Sequence, residues 1–454
     1  MGVVNQGYNE NKQQSKLKSP QSFSHYKRRE EGLNYKQMRI LVIFIYTISC
    51  LLAFGQATPT SKIFNPNIRT LQVGIKGTNL SLPVIQLGSQ DQIKVSFDEM
   101  SHNAHAYGYR IIHCNADWTP SNINSNEYLN GFTNANITDI KLSQTTTVIY
   151  TNYSFSFPND DISFKITGNY IVYVYEDNQI DSPVAQACFS VYDSRAKISG
   201  LIRGNTDTEL NTRLQQLDFE VDLAGYPTKD ILAEVKVVVR QNNRTDNQVV
   251  NLQPTSFTDS KLNYFSRNEL IFEGGNEYHR FDISSVLVGG AGVDYVRMLR
   301  PNYHAFLLPN KIQTAKTYTQ NFDVNGRYVI NVQRAFDPEV EADYVYVHFS
   351  IPTKEPFFDG SIYLGGEFNF NQLDESVKMN YSFDNEAYTK EMLLKQGGYN
   401  YQYWFKQKNR NQLSVERVDG SYWQTNNEYS IYVYQRPWGD RYDKLIGFKV
   451  ISRQ

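Results

Sequence analysis

Residues 168–174, Gly-Asn-Tyr-Ile-Val-Tyr-Val, carry the strongest local signal for the fold. A glycine that permits a turn precedes a tyrosine, and the tyrosine heads a run of aliphatic and aromatic residues typical of a buried strand. The same order, Gly-x-Tyr-x-aliphatic-x-Val, returns at residues 326–332, and a variant occupies residues 397–403. This recurrence predicts more than one β-module in the chain.

The glycine turn and its tyrosine resemble the tyrosine corner of immunoglobulin-like and fibronectin-like sandwiches, where the phenol bonds back to nearby backbone. Short alternating runs recur around it between Gly, Asn, Asp and Pro, and the apolar period of a long helix is not evident after the N-terminal region. The fold class is therefore predicted to be all-β, with tandem immunoglobulin/fibronectin-like β-sandwich modules. Strands are expected at residues 92–97, 107–114, 147–157, 169–175, 217–223, 231–240, 269–272 and 343–349.

The chain of 454 residues is too long for one sandwich of about 100 residues. We place the N-terminal β-sandwich at residues 65–193, a middle sandwich-like module at 194–335 and an immunoglobulin-like module at 337–454. Residues 363–369 of the last module are similar to glycogen-binding modules of the same fold. The pattern departs from those modules at Phe370-Asn371, where they usually place a tryptophan just after the asparagine.

The N-terminal region predicts export. Residues 1–37 are polar, and after Met38 and Arg39 a largely apolar run covers residues 40–54 before small residues at a cleavage position. This order is typical of a signal peptide, placed at residues 38–56, since a bilayer-spanning helix needs about 20 apolar residues. We interpret residues 1–37 as an over-extended start; an authentic long leader is the alternative.

Composition and motifs argue against catalysis and against nucleic acid as a partner. The 45 basic and 47 acidic residues give a net charge of -2, which provides no general attraction to phosphate backbones. The sequence shows no Gly-x-Ser-x-Gly nucleophile elbow and no phosphate-binding loop. We therefore expect no enzyme activity, no cofactor, no metal and no small-molecule substrate. The histidines weighed for a zinc site or a triad base, and judged too poorly supported, are His102, His105, His113, His279, His304 and His348.

Cys114 and Cys188 follow the predicted signal peptide. In an oxidising compartment they could form a disulfide, but a chain of this size does not need one. Burial as two thiols is the other interpretation.

Longer runs resemble the plug proteins of the type IX secretion system. Residues 111–121, 127–132, 157–160 and 168–177 look like the N-terminal domain of that family, and the likeness continues to residues 434–443. The resemblance implies a non-enzymatic periplasmic protein at the outer membrane. Its partner would be the giant translocon β-barrel, whose periplasmic opening the plug seals when no cargo is engaged.

Two alternatives stay open from the sequence. The tail at residues 447–452 has a faint likeness to a sorting domain, which would suit a secreted cargo protein or surface adhesin of the same system. Exposed aromatic residues stack on sugar rings, so a glycan-binding module is the second alternative. Its platform would be built from Trp404, Trp423 and Trp438.

The segment around Pro437 and Gly439 is the predicted docking surface, because a turn cannot bury many large side chains in its own core. Trp, Tyr and Arg dominate the energetics of protein interfaces. The predicted contact residues are Tyr434, Arg436, Trp438, Arg441 and Tyr442. If they are exposed, reversing both arginine charges should scarcely change the melting temperature. The alternative is that Trp438 packs onto the last sandwich as a lid.

Overall fold

β-Strands are the predominant regular structure in the part of the chain that the computed structural model describes, which comprises residues 60–177, 179–223, 226–313, 317–408 and 413–453. The all-β prediction is confirmed. The predicted leader at 1–37 and signal peptide at 38–56 lie outside these residues. Within the described ranges, none of the helices has the length and apolar character needed to cross a bilayer.

The elements follow one another in short steps along the chain. The strands up to the first long connection are β1 (Lys62–Ile63), β2 (Ile68–Ile75), β3 (Val84–Gln86), β4 (Ile93–Glu99), β5 (Tyr107–Cys114), β6 (Leu129–Asn130), β7 (Asn134–Asn136), β8 (Asp139–Leu142), β9 (Thr151–Phe157), β10 (Ser163–Phe164), β11 (Gly168–Glu176) and β12 (Pro183–Tyr192). The next are β13 (Lys197–Arg203), β14 (Leu214–Asp222), β15 (Val235–Gln241), β16 (Val249–Val250), β17 (Ser256–Phe257), β18 (Lys261–Tyr264) and β19 (Ile271–Glu273). The remaining strands are β20 (His279–Asp282), β21 (Val293–Leu299), β22 (Asn302–Leu307), β23 (Tyr328–Ile330), β24 (Tyr344–Pro352), β25 (Gly360–Gly365), β26 (Asn380–Ser382), β27 (Ala387–Lys395), β28 (Gly397–Gln407), β29 (Leu413–Ser414), β30 (Glu428–Gln435) and β31 (Lys444–Ser452). The helices of the described residues are single turns, namely α1 (Ser125–Tyr128), α2 (Ile231–Glu234), α3 (Pro338–Glu341), α4 (Glu416–Asp419) and the 3-10 turns Asn268–Leu270 and Glu367–Asn369.

The first sandwich comprises strands β1 to β12. One sheet has the order β1–β12–β11–β5–β7, with β3 added in parallel to β12, and the facing sheet has the order β2–β4–β9–β8. Alternate residues of the two sheets point inwards and form one core, in which Phe97, Tyr153, Tyr170 and Phe189 are almost fully buried.

The second sandwich is built from two distant parts of the chain. Strands β13, β14, β18 and β17 form one sheet with β19 beside β14, and the other sheet has the order β16–β15–β30–β31. β15 pairs with β30 from Val235↔Gln435 to Gln241↔Tyr429. The sheet with β30 is buried on both faces, since Val237 and Val239 enter the sandwich core while Val238 packs towards the first sandwich.

The third sandwich lies in the sequence between β19 and β30. Its sheets have the orders β20–β28–β23, with β25 and β29 also paired to β28, and β21–β22–β24–β27–β26. Tyr399, Tyr401 and Tyr403 of the long strand β28 share one core with Val345 and Val347 of β24.

The predicted boundary near residue 336 therefore needs correction. Residues 428–452 were assigned to the last module, but β30 and β31 complete the middle one. The physical reason is that the second core is closed by Tyr429, Ile431 and Ile446, which no local pattern assigns to one sheet rather than another.

Three predicted strands begin later than expected. Residues 231–234 form α2 because the Asp230 carboxylate accepts hydrogen bonds from the amides of Leu232 and Ala233, both at 3.1 Å. The strand expected at 269–272 likewise follows a 3-10 turn. β9 starts at Thr151 rather than at residue 147, and the Asp343 carboxylate accepts the amides of Thr147 and Val148.

Two of the three glycine-tyrosine patterns form the predicted corner. Tyr170 donates to the carbonyl of Ile166 at 2.8 Å, and Tyr399 donates to Lys395, also four residues upstream. Gly168 has φ +148 and a β-carbon there would lie 2.2 Å from the ring of His113, so only glycine fits. Tyr328 differs, because its hydroxyl reaches the Leu71 carbonyl of the first sandwich at 3.4 Å.

Candidate functional site

The predicted docking segment is the loop of the hairpin formed by β30 and β31. Pro437 and Gly439 make the turn, in which the Asp440 amide donates to the Pro437 carbonyl at 3.0 Å and Gly439 has φ +93. We call residues 436–443 the clasp loop, because its side chains fasten the second sandwich to the first.

Asp443 is the centre of the clasp loop. It is 1% exposed, and its Oδ2 accepts a hydrogen bond from the amide of Ala116 at 3.0 Å. The Lys236 Nζ lies 3.1 Å and the Arg436 Nε 2.9 Å from Oδ1 of the same carboxylate. Arg436 also donates through Nη2 to Asn115 Oδ1 at 2.6 Å. A buried carboxylate of the second sandwich is thus neutralised by its own basic side chains and bonded to a turn of the first.

The other predicted contact residues also reach the first sandwich. Tyr434 is 2% exposed and its hydroxyl donates to Asn169 Oδ1 at 3.0 Å. Arg441 forms an ion pair with Glu127, and the Tyr442 ring packs edge-on against the buried ring of His113 with 5.3 Å between centroids.

Trp438 is the exception among the five. Its side chain is 92% exposed at the tip of the clasp loop. The lid interpretation of Trp438 is therefore wrong. The expectation that Tyr434, Arg436 and Tyr442 stand free for a partner is also wrong, since each already contacts the first sandwich.

A second junction, between the first and third sandwiches, contains a buried ion pair that sequence reasoning missed. Lys395 Nζ lies 2.6 Å from Asp98 Oδ2, and the two side chains are 2% and 1% exposed. Lys395 also donates to the Glu339 carbonyl at 2.6 Å and lies 4.2 Å from the centre of the Tyr150 ring. Asp98 also accepts hydrogen bonds from the Tyr344 hydroxyl at 2.7 Å and from the side-chain amide of Asn152 on β9 at 2.8 Å.

Burial dominates the electrostatics of this pair. It raises the pKa of Asp98 and lowers the pKa of Lys395, while the attraction between the two charges opposes both shifts. No local signal could have identified the pair, because the partners lie on β4 and β27, far apart in the sequence.

A cavity of about 460 Å³ opens where the three sandwiches meet. Its lining includes Trp118, Arg240, Tyr328 and Glu367. Burial raises the pKa of Glu367, and the attraction of Arg327 opposes the shift. The Arg240 guanidinium lies 5.9 Å from the centre of the Trp118 ring, so side chains of different sandwiches already contact one another across this junction.

The histidines weighed for zinc near the start of the first sandwich do not converge. His102 Nε2 lies 2.8 Å from Ser143 Oγ, and His105 forms an ion pair with Glu99. His113 is 1% exposed, and its Nε2 donates to the Thr167 carbonyl at 3.2 Å. Burial lowers the pKa of His113 to about 4, so its ring is a neutral structural group at physiological pH.

Cys114 and Cys188 are both buried thiols. They lie on β5 and β12, which flank β11 in one sheet, with Cys114 opposite Asn169 and Cys188 opposite Ile171. Strands separated by a third are about 9.5 Å apart, beyond the reach of a disulfide of about 7 Å between α-carbons. Burial raises the pKa of Cys114, and it raises the pKa of Cys188 to about 12.

The residues proposed for a glycan platform do not form one. Trp404 is 3% exposed within the third core, and its ring is covered by the Arg244 guanidinium at 3.7 Å. Trp423 is half-buried with the Arg453 guanidinium 4.3 Å from the centre of its ring, and Trp438 belongs to the clasp loop. The tail at 447–452, which has a faint likeness to a sorting domain, lies in β31 and pairs with β30 in the second sandwich.

Comparisons with known proteins agree with this architecture. The crystal structure of a hypothetical protein from Parabacteroides merdae ATCC 43184 is 40% identical and has a TM-score of 0.85, covering 88% of this chain and 100% of that one. Latent PorU from Porphyromonas gingivalis (10% identical, 86% of this chain and 34% of that chain) and the DNA glycosylase AlkC from Pseudomonas fluorescens (11%, 36% and 40%) both have a TM-score of 0.15, too low to carry an argument. No curated protein matches the chain.

The family match falls on the sandwich that the clasp loop holds. Residues 68–193 match the family model described as type 9 secretion system plug protein 1st domain. This range runs from the first residue of β2 to the residue after β12, which is almost the whole first sandwich. The chain therefore belongs to the type IX secretion system plug protein family.

Proposed function

We propose that this protein seals the periplasmic opening of the outer-membrane translocon barrel of the type IX secretion system. The family places the chain in type IX secretion and in the cell envelope. The observation that carries the finer proposal is the pair of junctions at Asp443 and at Asp98 with Lys395. Inter-domain interfaces usually allow relative motion unless they are extensive, and a seal needs a body that keeps its shape against a pore.

The clasp loop would meet the barrel through Trp438. A tryptophan that is 92% exposed on a turn supported from beneath by Asp443 is a preorganised anchor. The same support means that binding would cost little ordering of the loop. We place the interaction in the periplasm, because residues 38–56 have the features of a signal peptide.

The test is recovery of the barrel with the tagged, full-length protein from detergent-solubilised envelopes. The wild-type protein should bring down the barrel. Trp438→Ala should reduce the yield at least about tenfold, the cost of losing one good interface anchor. Phe383→Ala is the matched control, because Phe383 is also exposed, at 78%, but lies in the third sandwich.

The outcomes separate the partner from the docking residue. If wild-type protein never brings down the barrel, the plug assignment fails. If Trp438→Ala recovers as much barrel as wild type, Trp438 is not the anchor. Deletion of the gene should also let solutes too large for ordinary porins enter the cell, since an unsealed secretion pore would conduct them.

Export has its own test. The N-terminus of the protein isolated from cells should lie near Gln56 or Ala57, which Edman sequencing or mass spectrometry reads directly. A chain that retains Met1 would contradict both the signal peptide and the periplasmic location.

A further inference from the structure

Among the described residues, three side chains that could bind a metal ion lie close together, at a distance from the junctions between sandwiches. They lie on the outer face of the third sandwich, where three neighbouring strands of one sheet each supply a side chain. His304 comes from β22, His348 from β24 and Glu391 from β27, and their ligand atoms all lie within 4.8 Å of one another. We propose that these three side chains bind a divalent transition-metal ion, Zn²⁺ in the first instance.

The register of the sheet explains why distant residues meet there. β24 pairs with β27 so that His348 stands directly opposite Glu391. β22 runs parallel to β24 with His304 opposite Tyr346, which places His304 diagonally next to His348. Along β24 the residues Val345, Val347 and Phe349 enter the core, so His348 must point outwards.

The distances between the ligand atoms are close to those around a bound metal ion. His304 Nδ1 lies 2.9 Å from His348 Nε2, and His348 Nε2 lies 3.4 Å from Glu391 Oε2. Ligands about 2.05 Å from a tetrahedral zinc are separated by about 3.3 Å, so the two measured distances bracket the required edge. Two imidazoles and one carboxylate are also a ligand set that zinc uses in sites with an open fourth position.

The rings are held in place before any ion binds. Phe306 stacks on His348 with 4.2 Å between centroids and 4° between planes, and Tyr346 stacks on His304 at 4.9 Å.

The site is open to solution, because the His348 and Glu391 side chains are 27% and 48% exposed. An ion there would tie β22, β24 and β27 together. Its fourth position would face outwards, where a water molecule or a donor atom of another protein could occupy it.

The test is calorimetric titration of ZnCl₂ into the purified protein after removal of any polyhistidine tag. Wild type should bind one equivalent. His304→Ala and His348→Ala should abolish that binding, and Glu391→Gln should weaken it at least about tenfold. His102→Ala is the control, because His102 is bonded to Ser143 in the first sandwich and should leave the titration unchanged.

A second measurement keeps the proposal open to refutation if a variant is poorly folded. Titration of wild-type protein with Co²⁺ should produce the strong visible absorption of a four-coordinate site, and Zn²⁺ should remove it. Absence of stoichiometric Zn²⁺ binding to wild type, or the same affinity in the three ligand variants, would overturn the proposal.

Discussion

At the scale of single residues, the decisive features are charges taken out of water. Lys395 and Asp98 are each almost inaccessible, and each satisfies its remaining hydrogen-bonding capacity locally. Forming such a pair gains little over apolar packing, but breaking it leaves one charge buried without compensation. The pair therefore makes the junction between the first and third sandwiches sensitive to single substitutions.

Lys395→Met should lower the free energy of unfolding by about 3–5 kcal/mol, because it leaves the Asp98 carboxylate buried and unpaired. Urea denaturation followed by circular dichroism measures the change. Lys378→Met is the control, since the ion pair of Lys378 with the 78% exposed Glu375 should contribute no more than about 1 kcal/mol. Equal losses in the two variants would contradict the assignment of Lys395 as the critical cation.

His113 should make stability depend on pH. Its folded-state pKa of about 4 lies below the usual value of about 6.5, so between these values only the unfolded chain takes up the proton. The contribution is complete above about pH 6.5 and falls by about 3 kcal/mol as the pH drops towards 4. In His113→Gln the urea midpoint should fall less steeply over this window, and superimposable pH profiles would refute the explanation.

At the scale of elements, the clasp loop shows how far sequence reasoning reaches. The sequence correctly predicted a turn at Pro437 and Gly439 with several large side chains around it. The sequence could not show which of these side chains already contact the first sandwich, because their partners Asn115, Glu127 and Asn169 lie far away in the chain. β4 and β24 could be predicted, because the alternation of side chains within each strand is itself the signal.

Arg436→Glu should lower the free energy of unfolding by about 3 kcal/mol, because it sets a second carboxylate against the buried Asp443. Arg441→Glu is the matched control. Arg441 and Glu127 are 53% and 35% exposed, so reversing that charge should cost no more than about 1 kcal/mol. Thermal melts compare the two directly. If Arg436→Glu melts with wild type, Asp443 is not the centre of the clasp, and the earlier expectation of two freely exposed arginines stands.

At the scale of the whole molecule, each sandwich has its own hydrophobic core, and neighbouring sandwiches contact one another. The tyrosine corners predicted the immunoglobulin-like class, and they formed where the phenol could reach backbone four residues upstream. The nesting of the third sandwich inside the second was beyond prediction from one sequence, because β15 and β30 both read simply as apolar strands. These two strands pair across the whole third sandwich in the sequence, and neither strand alone indicates its partner.

The nesting predicts that residues 194–335, the middle module as the sequence suggested it, will not fold alone. This fragment lacks β30 and β31 and so leaves Val237, Val239 and the rest of one core face open. A fragment of residues 194–453 contains every strand of the second and third sandwiches and should fold. Circular dichroism and one-dimensional NMR spectra distinguish the two, and dispersed methyl signals from the shorter fragment would show the prediction to be wrong.

The position of β31 also determines the order in which the three sandwiches can fold. Domains form in the order in which their segments become available, from the N-terminus onwards. The first sandwich is available once β12 has emerged, and the third once β29 has emerged, whereas the second must wait for residues 444–452. During that interval the part of the second core that β30 and β31 will cover stays exposed on β13 to β19, so we expect this segment to bind any chaperone that accompanies the protein. Asp443 directly precedes β31, so the junction between the first and second sandwiches forms in the same final step.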